Sequence, residues 1–128
     1  MTEPDWFTYE QANAAHSLQL RRFGGAPGLR DEGALRSALE RPVNKWHYES
    51  AELPELAAAY AFGLANIHAL VDGNKPIGFI AMVAFLRKNG IALKPDQAQS
   101  TAIIMAVAAG EVSEESLARW IRDNWPGP

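Results

Sequence analysis

Apolar positions along this chain recur at three- and four-residue spacings and rarely alternate, which predicts helices and not strands. The first such run carries Ala12, Ala15, Leu18 and Phe23; the capping box Thr8-x-x-Gln11 opens it and Gly24-Gly25 stops it. A shorter run with Leu35 and Leu39 has Asp31 placed as its cap and Pro42 as its end. Residues 43–52 lack helical period, and 43–50 read as a loop or a small hairpin. Pro54 suits the first turn of the next helix, through Leu56, Ala59, Tyr60, Gly63, Leu64 and Ile67. From Pro76 to Asn89 the apolar residues fall on nearly every side (Ile77, Phe79, Ile80, Met82, Val83, Phe85, Leu86), which predicts a buried central helix. Asp96 opens a further helix with Ile103, Ile104 and Val107, and Ser113 a last one with Leu117, Trp120 and Ile121. The expected class is all-α, a compact bundle of about six helices around the helix at 76–89.

Composition narrows the function. A chain of 128 residues is expected to form one domain, 1–128. Its net charge of -3 disfavours direct nucleic-acid binding, which calls for a basic face. With no cysteine, disulfides and thiolate metal sites are excluded and a reducing cytoplasm is the expected setting. The start, Met1 to Asp5, is acidic and lacks the apolar core of a signal peptide. The longest apolar stretch, Ile77 to Leu86, is about half of a bilayer span, so no membrane role is expected.

Candidate chemistry gathers between the two most apolar helices, in Ile67-His68-Ala69-Leu70-Val71-Asp72-Gly73-Asn74-Lys75-Pro76-Ile77-Gly78. The free N–H groups at the start of the second helix, with a glycine before them, form an anion nest. Lys75 adds a positive charge and Asn74 an amide for a phosphate oxygen or for fixing the loop. Asp72 offers the hard oxygen that Mg²⁺ takes alongside substrate phosphates, and His68 an imidazole able to act as a base. Anion cradle, metal ligand and base are the parts of a phosphate-transfer site. No zinc spacing and no G-x-x-x-x-G-K-[ST] loop is present.

The segment resembles the signature of the Fic/Doc family, whose Doc-type branch reads roughly His-Pro-Phe-x-Asp-Gly-Asn-Lys-Arg-Thr-Gly; His68, Asp72, Gly73, Asn74, Lys75 and Gly78 match it. The stretches from Phe23 to Asp31, Ser37 to Pro42, Leu56 to Tyr60 and Phe85 to Gly90 resemble the same family, so the likeness covers roughly residues 6 to 125. It implies the Fic/Doc helical fold and a toxin that transfers the γ-phosphate of ATP, with Mg²⁺, to a threonine of elongation factor Tu. His68 would be the catalytic base, Asp72 the metal ligand, and Gly73, Asn74 and Lys75 the phosphate-binding residues. The partner implied is a cognate, Phd-like antitoxin received as an amphipathic helix in a groove, and 43–50 would be the flap that aligns the target. Relatives with glycine at position 75 transfer AMP to a protein hydroxyl, which is the alternative chemistry.

Departures from the signature bear on activity. Ala69 and Leu70 replace proline and phenylalanine, and Ile77 replaces threonine. Pro76 replaces the arginine, which removes a two-point phosphate clamp and one backbone donor and biases Lys75 toward extended geometry. A catalytically silent antitoxin-binding module is therefore a further alternative. His16, one turn past Ala12, reads as a core-edge histidine in preference to a site residue, and His47 as an exposed loop residue. Trp46 is expected to pack on the bundle, and Trp6, Trp120 and Trp125 to tack down the chain ends.

Overall fold

The computed structural model describes residues 2–126, and six helices account for most of them: α1 (Tyr9–Phe23), α2 (Glu32–Glu49), α3 (Leu53–Ile67), α4 (Asn74–Lys88), α5 (Gln97–Ala108) and α6 (Glu114–Asp123). Among the described residues there is no strand, only one isolated antiparallel bridge between Leu29 and Leu70. The expected caps form. Thr8 and Gln11 close a capping box on α1, and the side chains of Asp31, Asp96 and Ser113 accept the N–H groups of Ala34, Gln99 and Ser116.

The apolar α4 buries Ile77, Gly78, Ala81, Met82, Phe85 and Leu86 but leaves Phe79, Ile80, Val83 and Ala84 half-buried. It shares the centre of the bundle with α3, the more buried of the two. Leu56 through Ala61 are fully buried on α3, which packs closely on α4: the Tyr60 and Phe85 rings lie 5.0 Å apart and Gly78 sits against the Ala61 backbone. Tyr60 carries the polar tie inside this core: its hydroxyl accepts the Phe7 N–H at 2.9 Å and donates to the Phe7 carbonyl at 3.2 Å. Burial pushes the Tyr60 phenol well above its ordinary range.

Several expectations are corrected. Residues 43–50 form neither loop nor hairpin; they are the second half of α2, and Pro42 stands inside the helix without ending it. A proline at such a position forfeits one helical hydrogen bond, at a cost of about 3 kcal/mol. Tertiary contacts offset it. Pro42 is fully buried, Trp46 meets Trp6 edge-on at 6.4 Å, and Lys45 pairs with Glu114 of α6 at 3.0 Å. His47 is accordingly a half-exposed helical residue and not a loop residue.

The helix assigned to start at Pro76 begins instead at Asn74, so the proline occupies its third position. That position also lacks an intrahelical acceptor, and the first helical bond is Ile77 N–H to Gly73 O at 3.1 Å. Lys75 is helical, not extended as its proline neighbour would favour. Trp6 tacks down the N-terminal segment by stacking on Phe85, with Lys88 Nζ donating to the Trp6 carbonyl at 2.6 Å.

Candidate active site

The connection from α3 to α4 is built by three local devices. His68 ends α3 in the left-handed region at φ 56, where a non-glycine residue is uncommon. Backbone strain of this kind, of order 1–3 kcal/mol, concentrates at functional sites because the surroundings must hold it. Next, the loop zips onto the turn after α1: the Ala69 carbonyl accepts from Arg30 and Asp31, and Val71 N–H donates to Gly28 O. Finally, Asn74 reaches back over the loop it follows. Its Oδ1 accepts from Leu70 N–H at 2.9 Å and its Nδ2 donates to Leu70 O at 3.0 Å.

These ties shape a cavity of about 270 Å³ at the start of α4, lined by His68, Asp72, Gly73, Asn74, Lys75 and Pro76 together with Gln19, Gly24, Ala65 and Val71. Every site residue expected from the sequence therefore faces one space. His68, Asp72, Lys75 and Pro76 are exposed at its rim, while Gly73 and Asn74 are half-buried in its floor. Gly73 sits at φ 89 as the cap of α4, and a side chain there would press on Gln19 and His16. The side-chain amide of Asn74 is committed to the loop, so the donor it can offer an anion is its backbone N–H at the first position of α4.

Asp72 is doubly placed. Its Oδ1 accepts the Gly73 N–H at 3.0 Å, and its Oδ2 occupies the space that a side chain at Gly25 would need. No group of three or more His, Cys, Asp or Glu residues among the described residues is arranged to hold a metal by itself. The donor set fits Mg²⁺, which takes one or two carboxylates and completes its shell with phosphate oxygens and water. At about 270 Å³ the cavity lies just under the usual range for whole ligands, roughly 300–1,000 Å³. It suits a phosphate chain better than an entire nucleotide.

Two α1 residues reach the motif loop: His16, expected at the core edge and buried there, and Gln19, which sequence reasoning passed over. His16 is buried, and its Nε2 lies 2.8 Å from the Asp72 carbonyl oxygen. Gln19 lines the cavity, and its buried Oε1 has no hydrogen-bond partner. The available signal was their spacing: Ala12, His16 and Gln19 share one helix face, and two of the three are polar.

Comparison with known proteins places the chain in a family. The model of the Fic/DOC family matches residues 6–86. The chain is 31% identical over 114 residues to "Protein kinase doc" of Escherichia phage P1, covering 88% of this chain and 90% of that protein. It is 42% identical over 76 residues to "Toxin Doc" of Mycolicibacterium smegmatis, covering 58% of each.

Proposed function

The chain belongs to the Fic/Doc family, and from that premise we propose that it is a Doc-type toxin, a protein kinase that phosphorylates a threonine of elongation factor Tu and so arrests translation. The observation that carries this reading is the convergence of His68, Asp72, Gly73 and Lys75 on one cavity at the N-terminus of α4. Lysine at position 75, where the AMP-transferring relatives carry glycine, favours phosphate transfer.

In this mechanism the His68 imidazole takes the proton of the threonine hydroxyl. The freed oxygen attacks the γ-phosphorus of ATP, the bond from that phosphorus to its bridging oxygen breaks, and ADP leaves with the electron pair. Lys75 and the backbone N–H of Asn74, which the missing side chain of Gly73 leaves open to approach, hold the phosphate oxygens as charge redistributes. Asp72 would hold Mg²⁺, whose chemistry is to neutralise the phosphate charge. The left-handed turn at His68 sets the imidazole at the rim, where a protein hydroxyl can reach it.

A Phd-like antitoxin is the proposed partner. An apolar groove of about 620 Å³ adjoins the cavity, with Phe23, Phe79, Ile80, Ile104 and Met105 along it, and shares Gln19, Lys75 and Pro76 with it. An amphipathic antitoxin helix seated there would cover the phosphate site. The encounter with both proteins is proposed to be cytoplasmic; no helix among the described residues is long and apolar enough to cross a membrane.

Pro76 favours a second reading, a fold that binds antitoxin and is catalytically silent, because the cavity rim bears a proline where a guanidinium would clamp phosphate. Labelled ATP separates the readings. Incubation with elongation factor Tu should transfer label from γ-³²P-ATP and none from α-³²P-ATP. Label from the α position alone would mean AMP transfer, and label from neither would leave the silent module.

A further inference from the structure

His16 is the one buried charged or polar side chain among the described core residues, and the transfer mechanism makes no use of it. It stands on α1, outside the lining of the phosphate cavity, yet its Nε2 meets the backbone of the motif loop at Asp72 O, 2.8 Å away. A carbonyl oxygen only accepts, so Nε2 is the donor in this contact.

We propose that His16 is a positioning residue that latches the Asp72–Gly73 peptide, keeping its C=O turned from the bound phosphate and its N–H on the Asp72 carboxylate. In a planar trans peptide the carbonyl and the N–H point in opposite directions. Drawing the Asp72 carbonyl toward α1, away from the cavity, turns the Gly73 N–H to the side where the Asp72 carboxylate receives it at 3.0 Å. The opposite orientation would aim a carbonyl dipole at an anion.

Sterics alone do not make this choice. A peptide turns over by coupled rotation about ψ of the residue before it and φ of the residue after it. Gly73, now at φ 89, has no side chain to oppose the change. A larger residue would oppose the turn, but φ 89 strains any L side chain, and a Cβ at position 73 would also press on Gln19 Oε1 at 3.1 Å and on the His16 ring at 3.3 Å. The loop must therefore keep glycine, and the orientation that glycine leaves open is settled by the hydrogen bond from α1. Asp72, the proposed metal ligand, is positioned through the same peptide.

The latch rests on the reading of the cavity as an ATP phosphate site only for its kinetic consequence; the peptide orientation is a separate observable. Two variants divide the roles of the ring. His16→Gln keeps an N–H donor near the position of Nε2, and His16→Leu keeps bulk without a donor. Crystal structures of both should show the Asp72–Gly73 peptide turned over in the leucine variant and retained in the glutamine variant. In phosphotransfer assays H16L should raise the KM for ATP about tenfold, the order expected for one lost hydrogen bond to a charged group. The KM for the protein target should be unchanged, and H16Q should stay within about threefold of the parent. Simple destabilisation would instead lower the active fraction, reducing kcat and leaving both KM values alone. A peptide that keeps its orientation in H16L overturns the latch, as does an H16Q variant as impaired as H16L. If the peptide turns in H16L while the parent protein binds no ATP, the latch stands and the kinase reading falls.

Discussion

Pro76 is where single-residue chemistry bears hardest on this protein. It lies at the cavity rim in the first turn of α4, where its missing N–H breaks no helical bond, so the fold accepts it without strain. What it withholds is charge. A charge-assisted hydrogen bond contributes roughly 1.5–3 kcal/mol, and Pro76→Arg also restores a backbone donor to the nest. The variant is expected to raise kcat/KM for phosphotransfer about 10- to 100-fold and to deepen growth arrest on expression. Steady-state kinetics check the first expectation and plating of induced cells the second. An arginine form no more active than the parent would mean that position 76 does not limit the chemistry.

The motif's matched residues were legible one by one, because His68, Asp72, Gly73, Asn74 and Lys75 fall within eight positions of the sequence. How Asn74 serves was not. Its amide could have served ligand or loop, and only the return of the chain to Leu70 assigns it to the loop. His16 was harder still, since its partner lies 56 residues away and is a backbone oxygen, which leaves no trace in side-chain identity.

At the scale of elements, the packing of α3 on α4 determines where the motif loop sits. Gly78 is the closest point. A Cβ there would lie 2.9 Å from the Ala61 carbonyl oxygen and 3.3 Å from the Ala65 N, both backbone atoms that cannot rotate aside. Gly78→Ala would push the two helices apart and is expected to destabilise the fold by roughly 1–3 kcal/mol. Urea unfolding followed by circular dichroism measures this, and an unchanged midpoint would show that the helices tolerate the separation. The same interface holds both ends of the site loop, so the variant should also weaken ATP binding.

Element boundaries show where local pattern was overruled. Cap residues located the starts of α1, α5 and α6, because a side chain bonding to its own helix is local physics. Pro42 misled for the complementary reason. Its local preference to end a helix is outweighed by burial of the proline itself and by packing of Trp46 on Trp6.

Across the whole molecule, charge clusters fasten the C-terminal helix to the core. Arg122 of α6 pairs with Glu55 and, at 2.8 Å, with Glu52, both at the start of α3; Glu114 pairs with Arg41 and Lys45 of α2. Burial works to raise the Glu55 carboxyl, but hydrogen bonds from Arg122 and from the backbone, with the Arg122 charge, outweigh it and leave the group below its ordinary value of 4.5. A carboxyl lowered on folding contributes stability that is present above its unfolded pKa and is lost as pH falls through the folded value. Thermal melts should thus fall more steeply between pH 5 and about pH 3 for the parent than for Arg122→Leu, with the parent the more stable at pH 7. Parallel pH profiles for the two proteins would show that the clamp contributes nothing. The Arg122 pairs are partly exposed to solvent, so raising salt should also narrow the difference.

By itself, the sequence determined the all-helical class, most of the caps, the central place of α4 and the residues able to handle a phosphate. Each of these follows from periodicity or from side-chain chemistry, which act over a few residues. Only the tertiary structure decided that α2 runs through its proline, that α3 shares the centre of the core, and that His16 and Gln19 come to the motif loop. Those outcomes depend on contacts between segments far apart in the chain, whose energies exceed local preference and appear only once the helices pack.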